Sequence, residues 1–166
     1  RELRDLTIAL AQHLLVQLHG DTPATLGVVI QAYLCDAETV VEALLTWLVE
    51  HKRTLTIRLV KGAYWDHEVA EAVQRHWPVP VYQEKAATDL AFERLTRRLL
   101  SASPLVTTAI ASHNVRSIAH AMAAAEALGL AKDQLEVQLL YGMGEAIHAA
   151  LVSLGYPVRI YTPIGQ

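Results

Sequence analysis

The sequence holds a single cysteine, Cys35, among 166 residues. One cysteine excludes an intramolecular disulfide and fits a reducing, cytoplasmic compartment. Cys35 itself reads as a small packed residue after a strand rather than a nucleophile. Charge is also sparse: charged residues make up 19%, the net charge is −3, and no Lys/Arg-rich run occurs. Nothing in that balance calls for a nucleic-acid partner. Every apolar stretch is too short or too interrupted to span a bilayer, and the first residues lack a signal-peptide pattern. No sequence repeat and no low-complexity segment is present. The dinucleotide fingerprint G-x-G-x-x-G is missing, since "GMGEAI" (142–147) lacks the third glycine, and there is no P-loop.

What remains is a core-former, with 52% hydrophobic residues in a length suited to one domain. The chain begins at Arg1 inside a helical pattern and stops at "RIYTPIGQ", just after an apolar segment. We expect a piece of something larger, a partial domain over 1–166 truncated at both ends.

Residues 1–19 put Leu3, Leu6, Ile8, Leu10, Leu14, Leu15 and Leu18 on a broad helical face closed by Gly20. After the turn "GDTPAT" (20–25), "LGVVIQAY" (26–33) is short, β-branched and apolar on both sides, as a parallel strand covered on both faces should be. Asp36 is a cap for a helix to about 51. "LTIRLVKGAYW" (55–65) is the next strand, and Asp66 caps a helix to about Trp77. Thr88 to about Leu100 is helical. "PLVTTAIASHN" (104–114) is a third strand, followed by an alanine-rich helix to Leu128 that Gly129 closes. "LEVQLLYGMGE" (135–145) supplies a fourth strand and a helix to about Leu154, and "PVRIYTP" is extended. Four strand–helix alternations predict an α/β fold with a parallel sheet. Periodicity leaves an open doubly wound sheet and a closed barrel as alternatives.

All four strands carry polar residues toward their carboxyl ends: Gln31; Arg58 and Lys61; Ser112, His113 and Asn114; Gln138. Both kinds of α/β fold bind ligands at that end, and a guanidinium in a buried strand costs several kcal/mol unless paired. A ligand site is therefore favoured over a purely structural polar layer. Blander roles stand beside it. Lys61 can snorkel to water, Gly62 can simply open a turn, and Tyr64 and Trp65 can be rim aromatics. His113 with His120, and Glu145 with His148, have helical spacings that make no metal site without further ligands. "RHW" (75–77) and "TRRLL" (96–100) are solvated helix faces, with Arg97 and Arg98 as surface charges.

Six segments in order, "VIQAY" (29–33), "RLVKGAYWD" (58–66), "EKAATD" (84–89), "ASHN" (111–114), "QLLYGMGE" (138–145) and "RIYTPIG" (159–165), resemble the proline dehydrogenase domain of the bifunctional proline utilization A flavoenzymes. The resemblance implies a (βα)8 TIM-barrel variant, represented by its strands five to eight without the final helix. It implies FAD at the strand ends, oxidation of L-proline to pyrroline-5-carboxylate by hydride transfer to flavin, and quinone as electron acceptor, with the parent at the inner face of a membrane. By position, Arg58 would stand beside the flavin N5 as the catalytic group. Gln31 and Gln138 would touch the flavin. Val60, Lys61, Gly62, Ala63 and Trp65 would form its cradle, and Ser112, His113 and Asn114 would approach its ribityl and pyrophosphate part. Tyr64, Leu140 and Tyr161 would line the proline pocket. A fixed guanidinium near the ring system favours hydride acceptance, and Lys61 with backbone N–H groups suits two phosphates.

The departures from the family pattern are small: Ser112 where a Thr is usual, Tyr141 where His is frequent, and Phe92 where many relatives carry Tyr. The family's lysine and aspartate from earlier strands, and the arginine pair of the last helix, are not in this sequence. Arg97 and Arg98 are not that pair, because they precede the third strand. A half barrel with two unpaired edges and an uncovered apolar inner face is expected to be weak or inactive alone, and to self-associate. Two other readings are a Schiff-base enzyme using Lys61 and a non-catalytic assembly fragment.

Overall fold

The structure, a computed structural model, describes residues 2–17 and 26–162. Leu18, the Gly20 helix stop, the turn at 20–25 and the end of "RIYTPIG" lie outside the described residues. The elements run α1 (Glu2–Gln17), β1 (Gly27–Gln31), α2 (Ala37–His51), β2 (Leu55–Val60), α3 (Trp65–Gln74), α4 (Lys85–Leu100), β3 (Val106–Ala111), α5 (Val115–Ala127), a 3-10 turn (Lys132–Gln134), β4 (Leu135–Leu140), α6 (Glu145–Ser153) and β5 (Val158–Tyr161).

The strands form one parallel sheet in chain order, β1-β2-β3-β4-β5. Five strands pair where the sequence suggested four, because the extended "PVRIYTP" segment supplies β5, which joins β4 in register from Val137↔Val158 to Leu140↔Tyr161. Within these strands the order never reverses, unlike the doubly wound sheets that bind ligands at a reversal.

Side chains alternate across a pleated strand, and the register carries that alternation from strand to strand. Val28, Ile57, Thr108 and Leu135 are register partners, as are Ile30, Leu59, Ile110 and Val137, and all eight are buried. They form the face under the helices. The other face carries Val29, Arg58, Ala109 and Glu136 in one row, and Ala111, Gln138 and Arg159 in the next. Val29 on that face is 45% exposed. The expectation that β1 is covered on both faces is therefore corrected: helices bury one side only. The expected apolar inner face is also corrected. Thr56, Arg58, Thr107, Glu136, Gln138 and Arg159 stand there among Val29, Val60, Ala109, Ala111 and Leu140, so the face is mixed rather than apolar.

The main core packs α2 and α4 against the sheet through Leu48, Leu95, Leu99 and the fully buried Phe92, together with Ile30, Ile57 and Leu59. Each such side chain contributes about 1.5–3 kcal/mol by leaving water. A second cluster of Ile118, Val137, Leu139 and Leu151 seats α5 and α6 on β4. α1 departs from the sequence reading. Ala11 and Leu15 are buried, whereas Leu3, Leu6, Leu10 and Leu14 of the expected apolar face are exposed. Asp36 occupies the N-cap position of α2 but makes no side-chain cap hydrogen bond. Its carboxylate instead accepts from Arg4 of α1 at 2.7 and 3.1 Å. Arg94 and Arg98 of α4 pair with Glu38 and Glu42 of α2. Arg97 and Arg98 are surface charges as expected, but the solvated "TRRLL" face is corrected, because Thr96, Leu99 and Leu100 are buried against the sheet side.

Candidate functional site

β2 was expected to run to Trp65 and ends at Val60. Lys61 still accepts through its carbonyl from the Tyr33 N–H at 2.8 Å, and then Gly62 turns the chain away at φ +137°. Trp65 and Tyr64 therefore stand at the start of α3, with Tyr64 in the N-cap position. Asp66 lies inside the helix rather than capping it.

The Arg58 side chain lies on the open sheet face, where Nε donates to Gln138 Oε1 at 2.7 Å across β3. Its guanidinium carbon sits 5.5 Å from the centre of the Tyr161 ring. The Gln138 amide donates through Nε2 to Glu136 Oε1 at 2.6 Å. Arg159 then clamps Glu136 with two parallel bonds of 2.8 Å, Nε to Oε1 and Nη2 to Oε2. This fork–fork geometry is the strongest form of a carboxylate–guanidinium contact. Arg159, helped by the Gln138 amide, holds the Glu136 carboxyl below its ordinary value against the opposing effect of burial. Arg58, Glu136, Gln138 and Arg159 line a hollow of about 260 Å³ with Gly27, Val29 and Thr56.

A second hollow, about 290 Å³, opens beyond the ends of β1 and β2 and is lined by Tyr33, Lys61, Gly62, Trp65, Tyr82 and Asp89 among others. A Cβ on Gly62 would fall 2.4 Å from the Tyr33 ring, so glycine is required both by its φ and by an aromatic ring pressed against its backbone. Trp65 Nε1 donates to the Tyr82 carbonyl at 2.8 Å, fixing the indole at the rim. Lys61 Nζ donates to Asp89 at 2.6 Å and Lys85 Nζ to the other carboxylate oxygen at 2.8 Å. Those two ammonium groups, Lys61 first, hold the Asp89 carboxyl below its ordinary range. Two cations around one anion leave a net positive charge there. Committed to an ion pair, Lys61 is not the unpaired amine that Schiff-base chemistry uses.

The Ser112–His113–Asn114 run forms the join between β3, α5 and β4. Asn114 Oδ1 accepts from the Ser117 N–H, capping α5, and the Asn114 N–H donates to Ser112 Oγ, both at 3.1 Å. The Leu140 N–H donates to His113 Nε2 at 3.0 Å, which tethers the ends of two strands. Gln31 ends the edge strand β1 opposite Val60, and Ala63 is exposed. Leu140 and Tyr161 are register partners, both facing out of the sheet.

Most of the predicted residues thus fall into three groups, with Gln31 and Val60 paired at the ends of β1 and β2 outside them. Arg58, Gln138, Leu140 and Tyr161 share the open face. Lys61, Gly62 and Trp65 share the second hollow. Ser112, His113 and Asn114 sit in the strand-end join. Tyr64 is exposed on α3. Sequence reasoning missed Glu136, Arg159 and a role for Asp89. Glu136 was findable, since "LEVQ" puts Glu136 and Gln138 two apart on one strand face. Arg159 needed the pairing of β4 with β5. Among the described residues no group of three His, Cys, Asp or Glu side chains could hold a metal ion.

The proline dehydrogenase family model matches residues 1–166. The chain belongs to the proline dehydrogenase family. Among curated family members, the bifunctional protein PutA of Klebsiella aerogenes is 37% identical over 150 residues, covering 84% of this chain and 11% of that protein. The proline dehydrogenase of Deinococcus radiodurans is 35% identical over 111 residues, covering 66% of this chain and 32% of that protein. Among solved structures, proline utilization A from Bdellovibrio bacteriovorus, inactivated by N-propargylglycine, matches with a TM-score of 0.90 at 41% identity. That match covers 98% of this chain and 17% of that one. The chain thus spans about a tenth of the length of its PutA relatives.

Proposed function

We propose that this chain forms the later half of a (βα)8 barrel that oxidises L-proline to pyrroline-5-carboxylate with FAD. The single observation that carries the reading is Arg58 on the open sheet face. It is held by a neutral amide rather than a carboxylate, within a chain of the proline dehydrogenase family. Strand order equal to chain order with helices on one side is the arrangement of a barrel arc.

The donor set suits FAD. Arg58 offers a guanidinium that meets a neutral amide rather than a carboxylate on the open face, and Gln31 and Gln138 offer amides. The Lys61–Asp89–Lys85 cluster keeps a surplus positive charge suited to a pyrophosphate. Val60, Gly62, Ala63 and Trp65 would form the wall of the cofactor site, and Ser112, His113 and Asn114 would line its polar side. When bound, FAD supplies the hydride acceptor. The protein's own share is position and charge. Arg58 presents a fixed positive field, Gln138 fixes its direction, and Leu140, Tyr161 and Tyr64 offer an apolar wall to a flat, neutral ring. Quinone is the proposed electron acceptor, reached at the inner face of a membrane from the cytoplasm. No described helix is long and apolar enough to cross one.

The test uses the full-length protein that carries this chain. Purified with FAD, it should lose its visible flavin absorbance on addition of L-proline under anaerobic conditions and recover it on addition of a soluble quinone. No bleaching would defeat the assignment. Robust bleaching by the 166 residues alone would defeat the expectation that this part is weak or inactive by itself.

A further inference from the structure

The open face holds two arginines, one glutamate and one glutamine in a continuous hydrogen-bonded row, and the pairing within that row is selective. Glu136 accepts three bonds, two from Arg159 and one from Gln138. Arg58 donates to Gln138 and makes no bond to Glu136, although a single amide group separates them. The amide can satisfy both neighbours in one orientation only, with Nε2 toward the carboxylate and Oε1 toward the guanidinium.

We propose that Arg159 is a positioning residue: it occupies the Glu136 carboxylate so that Arg58 meets the neutral Gln138 amide and keeps its positive charge for the ligand at the site. Three features carry this. Arg159 takes both carboxylate oxygens, whereas Gln138 takes one. Glu136 is the carboxylate in the hollow shared with Arg58. The register places Arg58 and Glu136 in one row separated only by Ala109, too small to keep longer side chains apart. Without Arg159, Glu136 would retain a single neutral donor, and the cation left within reach would be Arg58. A carboxylate paired with Arg58 would cancel the field that favours a developing negative charge on the ligand.

This rests on the proposed flavin site, and the experiment separates the two. In the full-length protein, Arg159→Met is expected to lower the midpoint potential of the bound flavin, measured by reductive titration without proline, and to slow its reduction by proline roughly tenfold, about the effect of one uncompensated charge at a partly buried site. Glu136→Gln on the Arg159→Met background is expected to restore both, because the competing charge is then gone. Arg159→Lys, which keeps the cation, should sit closer to the wild type than Arg159→Met. A role confined to structural support predicts that the double variant is as impaired as the single one or worse, and that result overturns the proposal. So does an Arg159→Met protein with unchanged potential and rate. Wild-type protein that binds flavin but is not reduced by proline would sink the proposed substrate. The potentials of the two variants would still decide the role of Arg159. A wild-type protein that binds no flavin overturns both.

Discussion

Gly62 shows how closely one residue can be constrained from two directions. Its φ of +137° lies in a region that L side chains rarely adopt, and the Tyr33 ring fills the space a Cβ would need. Gly62→Ala should therefore destabilise the fold by about 2–4 kcal/mol, combining backbone strain with overpacking. Urea denaturation of the intact protein, with an unchanged slope and a lower midpoint, would show it. An alanine that leaves the midpoint in place would mean that the Tyr33 ring swings aside at no cost. The sequence signalled glycine after a strand, yet the ring pressing on it comes from the turn after β1, some thirty residues earlier, which no local pattern displays. The same holds for Lys61. Its charge was visible in the sequence, but its partner Asp89 lies on α4.

At the scale of elements, the Asp89 carboxylate ties the end of β2 to the first turns of α4 through Lys61, while Lys85 reinforces it from within the helix. The sign of its pH dependence follows from the lowered folded pKa. The contribution to stability is present above the ordinary carboxyl value of 3.8 and is lost as the pH falls through the lower folded value. Asp89→Asn should cost about 1 kcal/mol at neutral pH, a modest figure because both side chains are partly solvated. The wild-type and variant urea midpoints should converge as the pH drops below that range, and a gap that persists in acid would refute the linkage. The elements were largely legible because alternation and helical spacing are local signals. The errors have local causes too. The sequence overextends β2 because "GAYW" (62–65) stays apolar after the chain has left the sheet. α4 begins at Lys85 rather than Thr88 because "EKAA" lacks an obvious cap. α1 was credited with a wide buried face because leucines mark apolarity without saying what covers them.

For the whole molecule, the parallel sheet was legible, whereas the polarity of its open face was not. Arg58, Glu136, Gln138 and Arg159 read individually as strand residues, and only the register brings them together in two adjacent rows. Within the described residues β1 and β5 each have one sheet neighbour, and parallel edges are ready templates for further pairing. The isolated chain is expected to self-associate, which sedimentation velocity over a range of concentrations would register as a mass above 18.3 kDa. A strictly monomeric chain at every concentration would contradict this. High salt should weaken association only slightly if backbone pairing drives it, since screening acts mainly on exposed charges.

The order of strands in the sheet also bears on how the chain comes off the ribosome. Every strand after β1 pairs with the strand synthesised just before it, so each new βα unit meets a finished template instead of waiting for one. Partners are neighbours in strand order even across the longest gap, Leu55 to Val106, the cost of loop closure grows only slowly with length, and folding can keep pace with translation. A stalled nascent chain ending after β3 should then already protect the amides of β2 from exchange, well before the residues that complete the open face exist.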